Sequence, residues 1–353
     1  MDIGLMMDCD YREGQTQREA FENALQTADL AETLGFDSLW LAERHFSSPG
    51  GPALVPSIGA VPLLMATGIA MRTSRIRIGT AVLLLPLGHP IRLAEEVATL
   101  DNLSQGRLDL GVGRSSCPRA YEDYNNPYEG RRERFWEHLA IMRLAWSQPR
   151  LSYTGKFYTC HDLDVLPKPW QQPGPPLHLA ASTQETFRAI GTLGLPLLVA
   201  LIGTRLSDLA SMLTLYRDAW KAAGHPGQGE VRLRLPVYVA RTLEQAQADP
   251  RLSVMPYYER LRQGYLQSTQ QFEGTIRSTR AAQLATLTYE ELLRERVVFG
   301  TPALVRDRLR TLQQTLALAG FIIEPNVGTG LSPAQVECSL NLLTQEVTPS
   351  LRQ

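Results

Sequence analysis

Short apolar runs alternate along this chain with longer stretches of helix-spaced apolar residues. Ile3 to Met7 is the first run and predicts a strand. Thr16-Gln17-Arg18-Glu19 then has the form of a capping box, in which the two side chains satisfy each other's backbone N–H groups. The stretch it opens puts Phe21, Ala24, Leu25, Ala28, Ala31 and Leu34 on one helical face. Gly35 ends that stretch, and Phe36 to Leu41 predicts the next strand. The ending recurs at Leu193-Gly194-Leu195 and Ala319-Gly320-Phe321. A glycine just past a helix and before a buried run is what an αβ unit needs. Further strands are predicted at Ile76 to Leu85, Arg107 to Val112, Leu177 to Ala181, Leu195 to Ile202, Leu233 to Val239 and Phe321 to Glu324. Helices are predicted over 55–72, 90–104, 131–147, 183–193, 206–223 and 302–318.

Eight strands separated by helices fit a closed parallel barrel or a doubly wound sheet. A doubly wound dinucleotide fold would carry G-x-G-x-x-G after its first strand, whereas Met7 leads into Asp8-Cys9-Asp10-Tyr11. The expected fold class is therefore α/β, a (β/α)8 TIM barrel, with residues 1–353 as one domain. The 353 residues exceed a bare barrel of about 250 residues, so insertions are expected. One is 114–130 after strand four, rich in Tyr, Asn and Pro; the other is 243–298 after strand seven, polar with helical content.

Composition narrows the class. With 44% apolar and 20% charged residues the chain is neither disordered nor fibrous. Its 35 Lys and Arg against 36 Asp and Glu leave a net charge of −1 with no basic block, which points away from nucleic acid and from acidic membranes. Apolar runs such as Leu195 to Gly203 are too short to cross a bilayer. Asp2, Asp8 and Asp10 do not suit a secretory leader, so a cytoplasmic location is expected. Cys9, Cys117, Cys160 and Cys338 are widely spaced, with no C-x-x-C, and predict neither a disulfide scaffold nor a metal site.

Barrel chemistry sits at the C-terminal strand ends. The segments to weigh are Asp8 to Tyr11, Glu43-Arg44-His45-Phe46, Pro86 to His89, Gly113-Arg114-Ser115-Ser116, Ser182-Thr183 and Glu324-Pro325-Asn326. Glu43 and His45 belong to the densest charged cluster and suit acid–base work on a ligand, or a surface ion pair. Gly113 and Arg114, with their serines, offer donors for a phosphate. Ser182, Thr183 and Thr186 put hydroxyls where a helix begins, as an anion site or as ordinary caps. Cys117 has no base beside it in sequence and reads as pocket wall.

Several of these segments together resemble bacterial luciferase-like flavin monooxygenases. The resemblance runs through Ser38 to Phe46, Ile78 to Val82, His89 to Arg92, Leu100 to Arg114, Phe299 to Pro302, and Ser339 to Pro349. It implies a barrel, usually dimeric, with reduced FMN supplied by a separate reductase. O2 would form a flavin peroxide that oxygenates a small-molecule substrate. A deazaflavin-dependent hydride transfer and a non-catalytic flavoprotein are the alternatives. Arg114, Ser182, Thr183 and Thr186 match the phosphate site, and Ala81-Val82 matches a non-proline cis peptide beneath the flavin ring. His45 matches the second histidine of a Glu-His-His-Phe loop, and Arg44 replaces the first. Gly113 stands where luciferase has a reactive cysteine.

Overall fold

The computed structural model describes residues 1–47, 54–115, 118–269 and 276–352. Cys117, and Ser116 beside it, lie outside the described residues. Eight parallel strands form a closed ring: β1 (Asp2–Met7), β2 (Ser38–Leu41), β3 (Arg77–Thr80), β4 (Leu108–Gly113), β5 (Leu177–Ala180), β6 (Leu197–Ala200), β7 (Val231–Val239) and β8 (Gly320–Glu324). Closure comes where Val231 to Arg234 of β7 pair with Leu197 to Ala200 of β6 on one side and with β8 on the other. A helix follows each strand: Gln17–Thr33, Pro62–Arg72, Pro90–Leu103, Arg131–Ser147, Gln184–Leu193, Leu206–Ala222, Pro302–Leu316 and Pro333–Leu342. The fold is the expected TIM barrel.

The strand period of two explains the two-sided burial. Ile3, Leu5, Leu39, Leu41, Ile78, Leu108, Leu110, Leu233 and Leu235 are all buried in the layer shared with the helices, where Ala24, Ala28, Ala31 and Ile69 meet them. Each such leucine or isoleucine contributes roughly 1.5–3 kcal/mol on leaving water. The alternate residues point inward, where Met6, Trp40, Leu198 and Ile322 form a separate cluster. Trp40 is fully buried and donates its indole N–H to Ser38 Oγ at 2.8 Å. Gly79 of β3 has no room for a side chain, because a Cβ there would lie 2.4 Å from the indole.

Local signals set most boundaries. The capping box forms: the Glu19 N–H donates to Thr16 Oγ1 and the Thr16 N–H to Glu19 Oε2. Gly35 and Gly194 take the left-handed conformation at φ 76° and 66°, as their positions predict. Gly320 does not. Ala317 caps the preceding helix at φ 45°, and Gly320 already lies in β8, where a Cβ would sit 2.5 Å from the Asp2 carbonyl oxygen. The helix expected over 55–72 begins only at Pro62, whose missing N–H suits a first turn. The residues before it return to the strand ends instead: the Ile58 N–H donates to the Cys9 carbonyl, and the Arg44 N–H to that of Gly59.

Both insertions follow the expected strands. Among the described residues of 114–130 there is one short helix, Pro118–Asp123. The described residues of 243–298 form the helices Leu243–Ala248, Arg251–Thr269, Ile276–Ala285 and Tyr289–Glu295, then a strand, Val298–Gly300, begins beside the end of β7. Val254, Tyr257, Tyr258, Leu284 and Leu292 build a cluster that also takes in Val55 and Val327. Gln270, Gln271, Phe272 and Gly274 lie outside the described residues. An antiparallel hairpin, Leu151–Thr154 with Thr159–Leu163, was not anticipated; Glu137 accepts the N–H groups of Phe157 and Tyr158 at its turn. Among the described residues no helix is long and apolar enough to cross a membrane.

Gly111 tests the tightness of the ring. A Cβ there would stand 1.9 Å from the Thr80 carbonyl oxygen, a backbone atom that cannot move without disturbing β3. Gly111→Ala should therefore destabilise the fold by ~1–3 kcal/mol or more, read as a lower midpoint in urea unfolding; an unchanged midpoint would show that β3 and β4 give way freely.

Candidate active site

The mouth of the barrel is built from strand ends that the ring brings together. Just beyond β2, Glu43 and His45 have nearly buried side chains and are joined by a 2.7 Å contact between Glu43 Oε1 and His45 Nε2. Glu43 Oε2 accepts the Leu84 N–H at 2.7 Å. Leu84 in turn pairs with Gly113, so the Glu43 loop and the end of β4 share one wall. The Ala81-Val82 peptide between them is cis. A Cβ on Gly113 would lie 2.6 Å from Val82 Cγ2 and 3.6 Å from Ala180 Cβ. The absence of a side chain at Gly113 thus makes room for Val82 on this wall.

On the far side of that wall Arg114 Nη2 donates to Thr186 Oγ1 at 3.0 Å, and the Thr183 and Thr186 hydroxyls are 2.9 Å apart. Thr183 is the N-cap of helix Gln184–Leu193, whose N–H groups and dipole favour an anion. Burial, and then the neighbouring Arg132 and Arg131, pull the Arg114 pKa below its ordinary value. Arg132 is paired with Glu185. The Tyr121 hydroxyl, close enough to Arg114 and Arg131 to feel their charge, is buried without a hydrogen-bond partner among the described residues. Excess positive charge, an orphaned hydroxyl and a helix N-terminus together fit a phosphate. The Ser182 carbonyl accepts from Arg280 of the 243–298 insertion at 2.9 Å.

Across the mouth is a buried ion network of β1, β7 and β8. Asp8 takes Arg44 on Oδ1, at 2.9 Å from Nη2, and Arg234 on Oδ2, at 2.9 Å; Arg234 Nε reaches Glu324 Oε2 at 2.8 Å. Burial opposes ionisation of Asp8, but the Arg234 and Arg44 guanidiniums overcome it and hold its pKa below the usual range. Burial raises that of Glu324 despite Arg234. Asp10 lies 3.8 Å from Arg12; burial, with Asp8 and Glu324 close by, pushes it up to about 7.

The expected site residues thus fall into two groups on one wall. Glu43 and His45 are hydrogen-bonded to each other; Arg114, Thr183 and Thr186 form a second set, with Ala81, Val82 and Gly113 between. Arg44 faces Asp8 rather than the Glu43–His45 pair. Arg131, Arg132, Arg234 and Tyr124 were not anticipated. A signal for Arg234 existed: Val231-Arg232-Leu233-Arg234-Leu235 alternates, which sends both arginines into a barrel interior.

Comparison with known proteins places this architecture. The chain belongs to the luciferase-like monooxygenase family, whose profile matches residues 1–319. The uncharacterized protein y4wF of Sinorhizobium fredii is 32% identical over 210 residues, which cover 60% of this chain and 57% of that protein, so the match spans less than two thirds of that relative. The oxygenase component of the flavin-dependent trigonelline monooxygenase of Acinetobacter baylyi is 24% identical over 344 residues, 96% of this chain and 92% of that protein. The oxygenating constituent of 3,6-diketocamphane monooxygenase from the CAM plasmid of Pseudomonas putida, solved with FMN, has the same fold at TM-score 0.81 and 22% identity, over 99% of this chain and 98% of that one.

Asp10 generates a pH prediction. A carboxyl whose folded pKa is raised from 3.8 to about 7 contributes its full stability below pH ~4 and loses it as the pH rises through ~7. Asp10→Asn should remove that loss. In urea unfolding the variant should gain on the parent between pH 5 and pH 8; an equal gap at both values would contradict a protonated Asp10.

Proposed function

We propose that this protein is an FMN-dependent monooxygenase, the oxygenating component of a two-component system. The observation that carries the reading is the cradle of Arg114, Thr183 and Thr186 at a helix N-terminus, beside the wall of Ala81, Val82 and Gly113. Arg114 and the two threonines would hold the FMN phosphate, with Ser182 at its rim; Ala81, Val82 and Gly113 would back the ring system. Reduced FMN, when bound, supplies the two electrons that let one oxygen atom of O2 enter a small organic substrate while the other leaves as water. The chain's own part is orientation and exclusion of water. Glu43 and His45 border the mouth on the substrate side. The 243–298 insertion, tied to the phosphate loop through Arg280, closes the pocket. The chain carries no dinucleotide fingerprint, so a separate flavin reductase is the source of reduced FMN.

Two measurements test this. Arg114→Ala removes one charge-assisted bond, a loss of roughly 1.5–3 kcal/mol, and should weaken FMN binding about 10- to 150-fold in fluorescence titration. Unchanged affinity would place the phosphate elsewhere. With photoreduced FMN and 18O-labelled O2, the parent should put one labelled atom into a substrate. Reduced deazaflavin oxidised without oxygen uptake would replace the reading with hydride transfer.

We also infer a homodimer. Val61, Leu64 and Met71 lie along one side of helix Pro62–Arg72 and are 53%, 71% and 68% exposed. Such a stripe is the surface that a second copy would cover. Leu64→Arg should convert a dimeric sedimentation profile to a monomeric one; a monomeric parent would refute the assignment.

A further inference from the structure

His45 has no free ring nitrogen. Glu43 holds Nε2 at 2.7 Å, and the hydroxyl of Tyr124 lies 3.1 Å from Nδ1. Tyr124 follows the short helix Pro118–Asp123 of the strand-four insertion, so two separate loops meet here. Its ring stands edge-on to the imidazole, 5.1 Å between centroids at 74°. The next turn is anchored: the Asn126 N–H donates to the Tyr121 carbonyl at 2.8 Å, and its side-chain amide to that of Leu87 at 3.3 Å. The inner end is buried and the outer end is open, since Tyr124 is 46% exposed.

The hydrogen-bond inventory orients the chain. Glu43 Oε2 already accepts the Leu84 N–H. A carboxylate accepts with its other oxygen too, so His45 gives it the Nε2 proton. With the ring neutral, Nδ1 carries a lone pair and accepts the Tyr124 O–H. This is the logic of a nucleophile, a histidine and an orienting carboxylate, with a phenol at the outer position.

We propose that Glu43, His45 and Tyr124 form a proton relay, with Tyr124 as the residue that meets the substrate. The proposal rests on the oxygenase reading of the mouth. A substrate with an acidic O–H, a phenol or an enol, loses its proton to the Tyr124 oxygen as the Tyr124 proton passes to His45 Nδ1. One substrate O–H bond breaks, the phenol O–H is remade, and one N–H bond forms. The substrate becomes an electron-rich anion and His45 an imidazolium that Glu43 stabilises. No electron is transferred in this step. The reverse movement returns the proton to product. His45 therefore acts through Tyr124 and is a positioning and proton-storing residue.

Nitrogen-15 spectra of the histidine-labelled chain, which need neither cofactor nor substrate, test the relay. The chain has 6 histidines, so His45 is assigned by the signal lost in His45→Gln. The parent should show Nε2 protonated and Nδ1 bare. Glu43→Gln should invert this, because its carbonyl must take the Leu84 N–H and its NH2 group then faces Nε2. A parent with a proton on Nδ1, alone or together with one on Nε2, would overturn the relay. In turnover, Tyr124→Phe should lower kcat by roughly 10²–10⁴-fold. Its KM should move less than about 3-fold, since the loss falls on the proton step and not on binding. FMN affinity should match the parent. A kcat equal to the parent's would also overturn the proposal. If no substrate is oxygenated at all, the monooxygenase reading fails, while the spectra still decide the relay.

Discussion

Trp40 governs the interior of the barrel. Its indole fills the centre of the closed ring, and neighbouring strands accommodate it by giving up their side chains: a Cβ on Gly4 would meet Nε1 at 2.7 Å, and one on Gly79 would meet the ring at 2.4 Å. The plug separates two polar layers. Below it Asp2 pairs with Arg232 and Asp109 with Arg77, with His178 edge-on to the indole at 5.4 Å. Above it the network of Asp8, Arg44, Arg234 and Glu324 faces the mouth. The lower layer belongs to the scaffold, as residues at the N-terminal face of a barrel do, and the upper layer lies where barrel enzymes work.

The upper network is held by mutual dependence. A buried guanidinium is costly unless its hydrogen bonds are met, and Arg234 has a carboxylate on each side. Asp8 serves Arg44 and Arg234 at once, so it ties the end of β1 to the loop after β2 and to β7. These contacts make the mouth rigid on one side. Arg114 stands opposite, bonded to the Thr186 hydroxyl with Arg131 and Arg132 close by, and among the described residues no carboxylate is hydrogen-bonded to it. That contrast distinguishes a charge network satisfied within the protein from the Arg114 set, which we propose holds an anionic ligand.

Much was legible in the sequence because its signals are local. Capping boxes, helix-ending glycines and apolar runs depend on neighbours within a few residues, and they located all eight strands and the helices between them. The Glu43–His45 pair and the Arg114–Thr186 set were legible as segments, since a parallel barrel puts every strand's C-terminal end at one mouth. The errors came where distant chain decides. Val55 looked helical and instead joins the apolar cluster that the insertion builds around Val254 and Tyr257; Gly320 looked like a helix cap and is needed because β1 passes too close for a side chain.

The tertiary structure alone decided which of those residues face each other. Arg44 and His45 are adjacent in sequence, yet one turns to Asp8 and the other to Glu43 and Tyr124. Tyr124 stands 79 residues from His45 and Arg234 stands 226 residues from Asp8, separations across which no local pattern carries information. Helix and strand periodicity is a property of neighbouring residues and can be read from the order of residues. Hydrogen-bond partners across the mouth are a property of ring closure and loop docking, and exist only once the eight strands have met.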